Sequence, residues 1–263
     1  MYPRLLHLYG PVWIHSYGVM IALGFILFIA LTLRHPLRQK YISKEIFLNT
    51  IFVGLIGGVL GGRLLFIATN FSDFLSSPLE ALYPWVGGFV VLGSIIGALV
   101  SVVWYLRKNR ILVLPILDLA ALYAPLFQAV ARFGCLFAGC CYGAHAPDLT
   151  WAITFSNTDG LAPLGIPLHP TQVYASLASF GIFLLLNICY RFFRLRFGAV
   201  ISLYLMLENA ARFFVDFWRG DRGQLSALGL SEMQNFSLIG MLIAMGCLVV
   251  VLRNKKQKYS YLS

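Results

Sequence analysis

The stretch Ile46–Ala68 reads IFLNTIFVGLIGGVLGGRLLFIA and decides the fold, because Arg63 is its single charged residue. A helix of about 20 apolar residues crosses the roughly 30 Å hydrocarbon layer of a bilayer. The whole chain is 59% hydrophobic and only 11% charged, too few charges to cover the core of a soluble protein of 263 residues. The composition therefore predicts a polytopic membrane protein, and it excludes disordered, collagen-like and disulfide-rich secreted chains.

Six further apolar runs have the length of a membrane span. They are Tyr17–Leu33, Gly88–Leu106, Ile111–Ala131, Thr171–Tyr190, Phe197–Trp218 and Met233–Leu252. The prediction is an all-α fold with seven transmembrane helices in a single transmembrane domain, residues 1–263, with external loops at about 69–87 and 138–170. In span two, the small residues Gly54, Gly58 and Gly62 recur every four positions, with Gly57 and Gly61 beside them, a spacing that lets membrane helices pack closely.

Lysine and arginine residues are divided unevenly between the two sides of such a bundle. Three lie on one side: Arg4, Arg219 and Arg222. Fourteen lie on the other: Arg34, Arg38, Lys40, Lys44, Arg107, Lys108, Arg110, Arg191, Arg194, Arg196, Arg253, Lys255, Lys256 and Lys258. Because cytoplasmic loops carry the basic excess, the N-terminus is predicted outside and the C-terminus in the cytoplasm. Topology and attraction to anionic lipid thus explain the net charge of +10, and no nucleic-acid partner is predicted.

Three arginines remain in the spans or at their edges: Arg63, Arg132 and Arg212. Ionised side chains within a membrane are costly and commonly functional. Spans two, four and six all run outward, and each arginine lies in the last third of its span. Snorkelling to water is the alternative explanation, but three guanidinium groups at one depth favour a site for a lipid phosphate at the external face.

Span six adds an acidic residue to this set. Arg212, Asp216 and Arg219 are spaced i, i+4 and i+7, which predicts one helical face. Asp216 is expected to neutralise and orient the arginines; a purely structural ion pair is the alternative. Asp118 lies near the cytoplasmic start of span four and is predicted to be a structural partner for a hydroxyl group or a helix end.

Three of the five cysteines cluster at Cys135, Cys140 and Cys141, and His145 follows them. The pattern C-x4-C-C-x3-H offers four possible ligands but matches no zinc spacing, so no metal site and no cofactor are predicted. A disulfide from Cys135 to Cys140 or Cys141, and simple packing in a glycine-rich loop, both remain open.

Several short strings occur in a fixed order along this topology. They are HSYG at 15–18, GGRL at 61–64, WVGG at 85–88, RFGCLF at 132–137, HPTQVY at 169–174, RFFVDFWR at 212–219 and LSEMQ at 230–234. In this order the chain resembles the bacterial prolipoprotein diacylglyceryl transferase family over nearly its whole length.

The resemblance implies a reaction at the outer leaflet of the bacterial inner membrane. The family transfers the diacylglyceryl group of phosphatidylglycerol to the lipobox cysteine of a lipoprotein precursor and releases glycerol 1-phosphate. Arg132 and Arg212 resemble its phosphate-binding arginines, with Asp216 orienting them. The other predicted substrate contacts are Arg63, Tyr17, Arg219 and Gln234.

The chain departs from the family pattern where a proton acceptor is expected. Leu92 stands in place of the usual histidine of span three, and it cannot titrate. Cys135 and Cys140 replace an asparagine and an acidic residue, Asp216 replaces a glutamate, and Ala175 stands where a glutamate is usual. Three histidines are candidate bases on the outer side, namely His15, His145 and His169; His169 is preferred, and Tyr17 is a possible proton relay.

Three rival functions follow from these departures. The first is an enzyme of the same fold with another lipid or acceptor, and the second is a catalytically silent lipid-binding protein. The third, a transporter, is disfavoured because the sequence has no evident internal repeat and its charges are confined to the outer third. The sequence predicts no oligomeric state.

Overall fold

The structure, a computed structural model, describes residues 3–9, 12–71, 74, 88–193, 195–223, 225–226 and 229–253. The fold is mostly helical, with 71% of residues in helices. Some predicted features lie outside the described residues: most of the 69–87 loop, the WVG of the third string, Arg194 and the lysines at 255, 256 and 258.

The described elements are eight helices, four short strands and one 3-10 turn. In order they are β1 (Arg4–Tyr9), β2 (Val12–His15), α1 (Ser16–Arg34), α2 (Pro36–Tyr41), α3 (Lys44–Thr69), α4 (Val91–Lys108), α5 (Val113–Ala138), β3 (Ile153–Thr154), β4 (Pro167–Leu168), α6 (Thr171–Phe192), α7 (Ala199–Val215), a 3-10 turn (Asp216–Trp218) and α8 (Glu232–Arg253).

Six of these helices are long and apolar enough to cross a membrane, counted over the described residues: α1, α3, α4, α5, α6 and α8. The predicted sixth span is shorter than expected, since α7 has 17 residues and ends at Val215. The chain then tightens into the 3-10 turn at Asp216, whose carboxylate is held by groups further along the chain. The protein is a multi-pass membrane protein.

Two short antiparallel pairs were not predicted, so the expectation of a purely α fold is wrong in detail. β1 pairs with β2 just before α1, and β3 pairs with β4 inside the 138–170 loop. Arg4 lies over the ring of Trp13, 5.4 Å from its centroid, and forms an ion pair with Asp159 at 3.5 Å. These pairs order segments that the apolar spans leave outside the helices.

The chain divides into two units, His35–Ile116 and the remainder. In the first unit, α3 and α4 meet through glycines. A Cβ atom at Gly61 would lie 2.3 Å from the carbonyl oxygen of Gly93, and one at Gly97 would lie 2.2 Å from that of Gly57. No side chain fits between the two backbones, so the predicted role of the small residues in close packing is confirmed.

In the second unit, a buried carboxylate holds the start of α7. Asp118 has no exposed surface, and it accepts hydrogen bonds from the backbone N–H groups of Gly198 at 2.6 Å and Ile201 at 2.8 Å. The first N–H groups of a helix have no partner within the helix, and a carboxylate also interacts well with the positive end of the helix dipole. The predicted structural role of Asp118 at a helix end is confirmed.

Candidate arginine site and thiol cluster

Two of the intramembrane arginines line one narrow cavity. Arg132 of α5 and Arg212 of α7 form its walls, together with Glu208 of α7 and the small side chains of Ala175 and Ser179 on α6. Glu208 interacts electrostatically with both guanidinium groups, and its Oε2 has no hydrogen-bond partner among the described residues. The cavity therefore combines two fixed positive charges with one buried carboxylate.

Asp216 lies at a second cavity of about 180 Å³, which Arg212 also lines. Only 2% of Asp216 is exposed. One carboxylate oxygen is 3.8 Å from Arg212 Nη2; the other accepts a hydrogen bond from the Ser231 hydroxyl and is 3.7 Å from Arg222 Nε. Asp216 thus holds two arginines, each of which lines this cavity.

The predicted helical face through Arg219 is wrong. Because α7 ends at Val215 and the backbone is extended at Arg219, position i+7 no longer follows the helix. The Arg219 guanidinium instead donates to Asp221, with Nε 2.7 Å from Oδ1. Burial lowers the pKa of Arg219, but the bonds to Asp221 and the nearby Cys141 sulfur outweigh burial and raise it.

Backbone pairing brings Arg219 to the cysteine segment. Gly143 forms a β-bridge with Arg219, and the N–H of Ala144 donates to the carbonyl of Trp218 at 2.8 Å. The Arg219 side chain is also close enough to Cys141 to interact with it electrostatically. The end of α5 and the chain after α7 therefore meet at one place.

The three clustered cysteines converge at this meeting point. The sulfur atoms of Cys135, Cys140 and Cys141 all lie within 4.8 Å of one another, and all three cysteines are free thiols. Hydrogen bonds from the other two thiols lower the pKa of Cys141, and Arg219 and Arg132 act in the same direction, which outweighs burial. His145 does not belong to the cluster. The arrangement stabilises negative charge on one of the three sulfur atoms, that of Cys141, whereas hydrogen bonding to the neighbouring thiols and burial raise the pKa of Cys140.

Tyr17 and His169 lie around this region in different ways. Tyr17, at the start of α1, is close enough to Arg132 and the three thiols to interact with them electrostatically. His169 lines neither arginine cavity. Its Nδ1 is 3.3 Å from the hydroxyl of Tyr174, which also accepts a hydrogen bond from Trp151 Nε1 at 2.9 Å.

Gln234 and Arg63 are both engaged by protein groups. Gln234 is fully buried at the start of α8, where its Oε1 accepts from Ser231 N–H at 3.0 Å and from Arg222 at 2.8 Å. Ser231 Oγ in turn accepts from the N–H of Gln234, which completes a capping box. Arg63 belongs to the other unit, where it donates to the Gly88 carbonyl at 3.3 Å and lies over the ring of Phe66.

The sequence reasoning missed two residues of the site. Glu208 precedes Arg212 by one helical turn, and an acidic side chain in an apolar span was a signal for it. Arg222 entered only as a loop charge that sets topology. Its contacts with Asp216 and Gln234 depend on how the 216–234 segment folds, which spacing along the chain does not encode.

The fold and the site define a multi-pass membrane protein whose apolar helices enclose an arginine-lined polar cavity. The prolipoprotein diacylglyceryl transferase family matches the chain over residues 3–250, and the chain belongs to this family.

Similar proteins named phosphatidylglycerol–prolipoprotein diacylglyceryl transferase occur in several bacteria. The protein of Clostridium tetani is 39% identical over 88% of this chain and 91% of its own length. The second such transferase of Clostridium perfringens is 37% identical over 86% of this chain and 88% of its own length. The protein of Photobacterium profundum is 30% identical over 97% of this chain and 94% of its own length.

Proposed function

We propose that this protein transfers the diacylglyceryl group of phosphatidylglycerol to the lipobox cysteine thiol of a prolipoprotein and releases glycerol 1-phosphate. The observation that carries the proposal is the cavity shared by Arg132 and Arg212 in a chain of this family. Two fixed guanidinium groups suit a phosphodiester, whose single negative charge is shared by two non-bridging oxygens that can each accept hydrogen bonds.

The cavity supports the reaction by stabilising charge on the leaving group. The thiolate sulfur attacks the glyceryl carbon that bears the phosphate, a C–S bond forms, and the C–O bond breaks. The electron pair leaves with glycerol 1-phosphate, so negative charge grows on the phosphate. Arg132 and Arg212 are already in place and need no reorganisation at that moment, which is the condition for electrostatic catalysis.

The groups around the arginines have supporting roles. Asp216 orients Arg212, and Ser231 and Gln234 hold Asp216 and Arg222 in turn. Gln234 therefore acts through Arg222, because it is buried and its oxygen already accepts two hydrogen bonds. Glu208 serves as the counter-ion of Arg132 and Arg212 while no lipid phosphate is bound.

Substrate contacts extend beyond the cavity. Arg219 and Tyr17 flank the thiol cluster and are proposed to meet the acceptor and the lipid headgroup, and Arg63 assists in binding lipid. His169 is a proposed proton acceptor, because Leu92 has no proton to exchange. Nε2 of His169 can receive a proton when Nδ1 donates to the Tyr174 hydroxyl, which lies 3.3 Å away.

We further propose seven spans in a single transmembrane domain of the bacterial inner membrane, with the N-terminus outside and the site at the outer leaflet. The 17 residues of α7 extend about 26 Å, and the 3-10 turn lengthens the segment towards the headgroups. A periplasm-dependent reporter fused to the C-terminus should be inactive, and a cytoplasm-dependent reporter should be active. The opposite pattern would contradict the orientation.

The decisive experiment uses purified protein, vesicles of labelled phosphatidylglycerol and a lipobox peptide, with mass analysis of both products. The peptide should gain a diacylglyceryl thioether, and glycerol 1-phosphate should appear in equal amount. Arg132→Ala should abolish both products, and Arg107→Ala, an exposed arginine of α4, should change neither. Lipid binding that depends on Arg132 but gives no product would instead favour the silent lipid-binding protein.

A further inference from the structure

Three thiols converge beside the arginines, and the proposed transfer reaction has not used them. The sulfur atoms of Cys135, Cys140 and Cys141 lie within 4.8 Å of one another. Three sulfur atoms bound at about 2.3 Å to one tetrahedral ion stand about 3.8 Å apart. Small side-chain rotations therefore suffice to place all three on a single ion.

The backbone is built to hold the cysteines in this arrangement. Cys141 adopts a left-handed conformation with φ of 57°, which is unfavourable for a residue with a Cβ atom. Its carbonyl accepts a hydrogen bond from Thr171 Oγ1 at 2.7 Å, and that of Cys140 accepts one from Gln172 Nε2 at 2.8 Å. Thr171 and Gln172 are each 2% exposed. The first turn of α6 thus fixes the two adjacent cysteines.

We propose that Cys135, Cys140 and Cys141 bind a thiophilic divalent cation of the zinc class and leave its fourth position open. Thiolate ligands select such ions over magnesium or calcium. No histidine or carboxylate among the described residues joins the three sulfurs, and His145, which follows the cysteines in sequence, is not part of the group. Three protein ligands with an open position are typical of catalytic rather than structural zinc sites.

The neighbouring charges balance such a site. A divalent cation with three thiolates carries a net charge of −1, which becomes −2 when a fourth thiolate binds. Arg132 and Arg219 both lie close enough to Cys141 to interact with it electrostatically. Arg132 also precedes Cys135 by three residues on α5, so the two side chains lie on one face of the helix. Both positive charges therefore favour a negatively charged site at the three sulfurs.

The open position suits the acceptor thiol, an assignment that rests on the proposed function. A thiol loses its proton to water when it coordinates such an ion, so no histidine at the position of Leu92 is needed. The bound sulfur then attacks the glyceryl carbon, the C–S bond forms, and the C–O bond to phosphate breaks. Glycerol 1-phosphate takes the electron pair, and the neutral thioether leaves the ion.

The first test measures metal content in the full chain purified without chelators. About one zinc ion per chain is expected, and Cys135→Ser, Cys140→Ser and Cys141→Ser should each lose it. The loss should exceed the roughly 10- to 100-fold drop in affinity that is typical of outer-shell changes. Cys189→Ser and Cys247→Ser are matched controls outside the cluster and should retain the ion.

Cysteine labelling of the unmutated protein keeps the test independent of how the variants fold. Bound zinc should protect the three clustered thiols from alkylation, and removing it should expose all three. Protein that contains no zinc, takes up none when zinc is supplied, or carries a disulfide between two of these cysteines would overturn the proposal.

A second test separates this proposal from the transferase function. Protein loaded with Co²⁺ should change its visible spectrum when a lipobox peptide is added, and a peptide with serine in place of the cysteine should have no effect. Transfer that continues at full rate without bound metal would overturn the role of the ion in activating the acceptor thiol and leave the function intact. A spectral change without any transfer would support the metal site and contradict the function.

Discussion

The helix pair α3–α4 and the charged region of α5, α7 and α8 are held together by opposite means. In the pair, glycines such as Gly61 and Gly97 bring backbone against backbone. In the charged region, Asp118, Asp216 and Gln234 are all buried and all hydrogen-bonded. Close packing without polar groups stabilises membrane helices but offers nothing to a substrate, whereas buried charges are costly and persist where they serve a function.

The comparison predicts that changes in the two regions separate activity from stability. Substitutions in the charged region should lower transfer more than they lower thermal stability. Substitutions at the glycine contact should do the reverse. The first three predictions below test this division, and the fourth concerns the pH dependence of stability near α2.

The largest effect is expected at Arg212. Arg212→Ala removes a preorganised positive charge from both cavities, so the transfer rate should fall about 10²- to 10³-fold, as for loss of one oxyanion-hole donor. Arg212→Lys keeps the charge but loses the planar fork and should recover part of the rate. The measurement is the lipobox transfer assay with thermal unfolding in detergent beside it. If Arg212→Lys were as slow as Arg212→Ala, restoring the positive charge would not restore any of the rate, and the expected partial recovery would be wrong.

The next effect concerns the glycine contact. In Gly61→Val, the added Cβ atom would lie 2.3 Å from the carbonyl oxygen of Gly93. This distance is too short for two non-bonded atoms, so the two helices must move apart. Overpacking of this kind costs about 1–3 kcal/mol, which should appear as a lower unfolding temperature. The control is Gly181→Val on α6, where nothing lies within 4 Å of the added Cβ. Similar losses at both positions would indicate that helix propensity, rather than the contact, is responsible.

Glu208 tests whether the buried carboxylate competes with the lipid phosphate. Glu208→Gln keeps the shape but removes the negative charge beside Arg132 and Arg212, so glycerol 1-phosphate should bind about 10-fold more tightly, a change of about 1.4 kcal/mol. Calorimetric titration of the purified variant measures this. Glu232→Gln, which removes a charge from the neighbouring cavity, provides the comparison. Unchanged affinity in Glu208→Gln would contradict the counter-ion role.

The smallest effect concerns pH and involves His35, which precedes α2. Burial lowers the pKa of His35 from its ordinary 6.5 to about 4, and its ring accepts a hydrogen bond from the N–H of Leu37. Between pH 4 and pH 6.5, the unfolded chain therefore binds more protons than the folded chain. The free energy of unfolding should decline as pH falls from about 6.5 to about 4. Asn is a good helix cap and does not titrate, so His35→Asn should remove this part of the decline. Thermal unfolding at several pH values measures it; identical pH profiles would contradict the assignment.

The apolar spans were predictable because length and hydropathy alone determine whether a helix can cross a bilayer. Asp118 was predictable for a related reason, since a buried charge needs a partner. The early end of α7 and the partners of Arg219 were not, because both depend on where Ser231 and Arg222 return to meet Asp216. The short β-pairs were not predicted, because strands of two to six residues are too short to show a clear alternation of apolar and polar residues.

The convergence of the thiols shows the same limit. The spacing of Cys135, Cys140 and Cys141 left packing and a disulfide open and matched no zinc pattern, so it predicted no metal site. The left-handed backbone at Cys141 and the hydrogen bond from Gln172 bring the sulfurs together, and neither follows from spacing along the chain. Spacing along the chain does not predict contacts between residues about thirty positions apart, such as the bond from Gln172 to the Cys140 carbonyl.

The contact between α3 and α4 also has a consequence for how the protein enters the membrane. Because backbone atoms make the contact at Gly57, Gly61, Gly93 and Gly97, the two helices lose almost no side-chain rotamer entropy when they associate. Short Cα–H···O interactions can add to the attraction, and they keep their strength in hydrocarbon. The pair needs no residue from elsewhere in the chain for this contact. It can therefore assemble as a hairpin soon after both helices leave the translocon, before α5 to α8 have been synthesised.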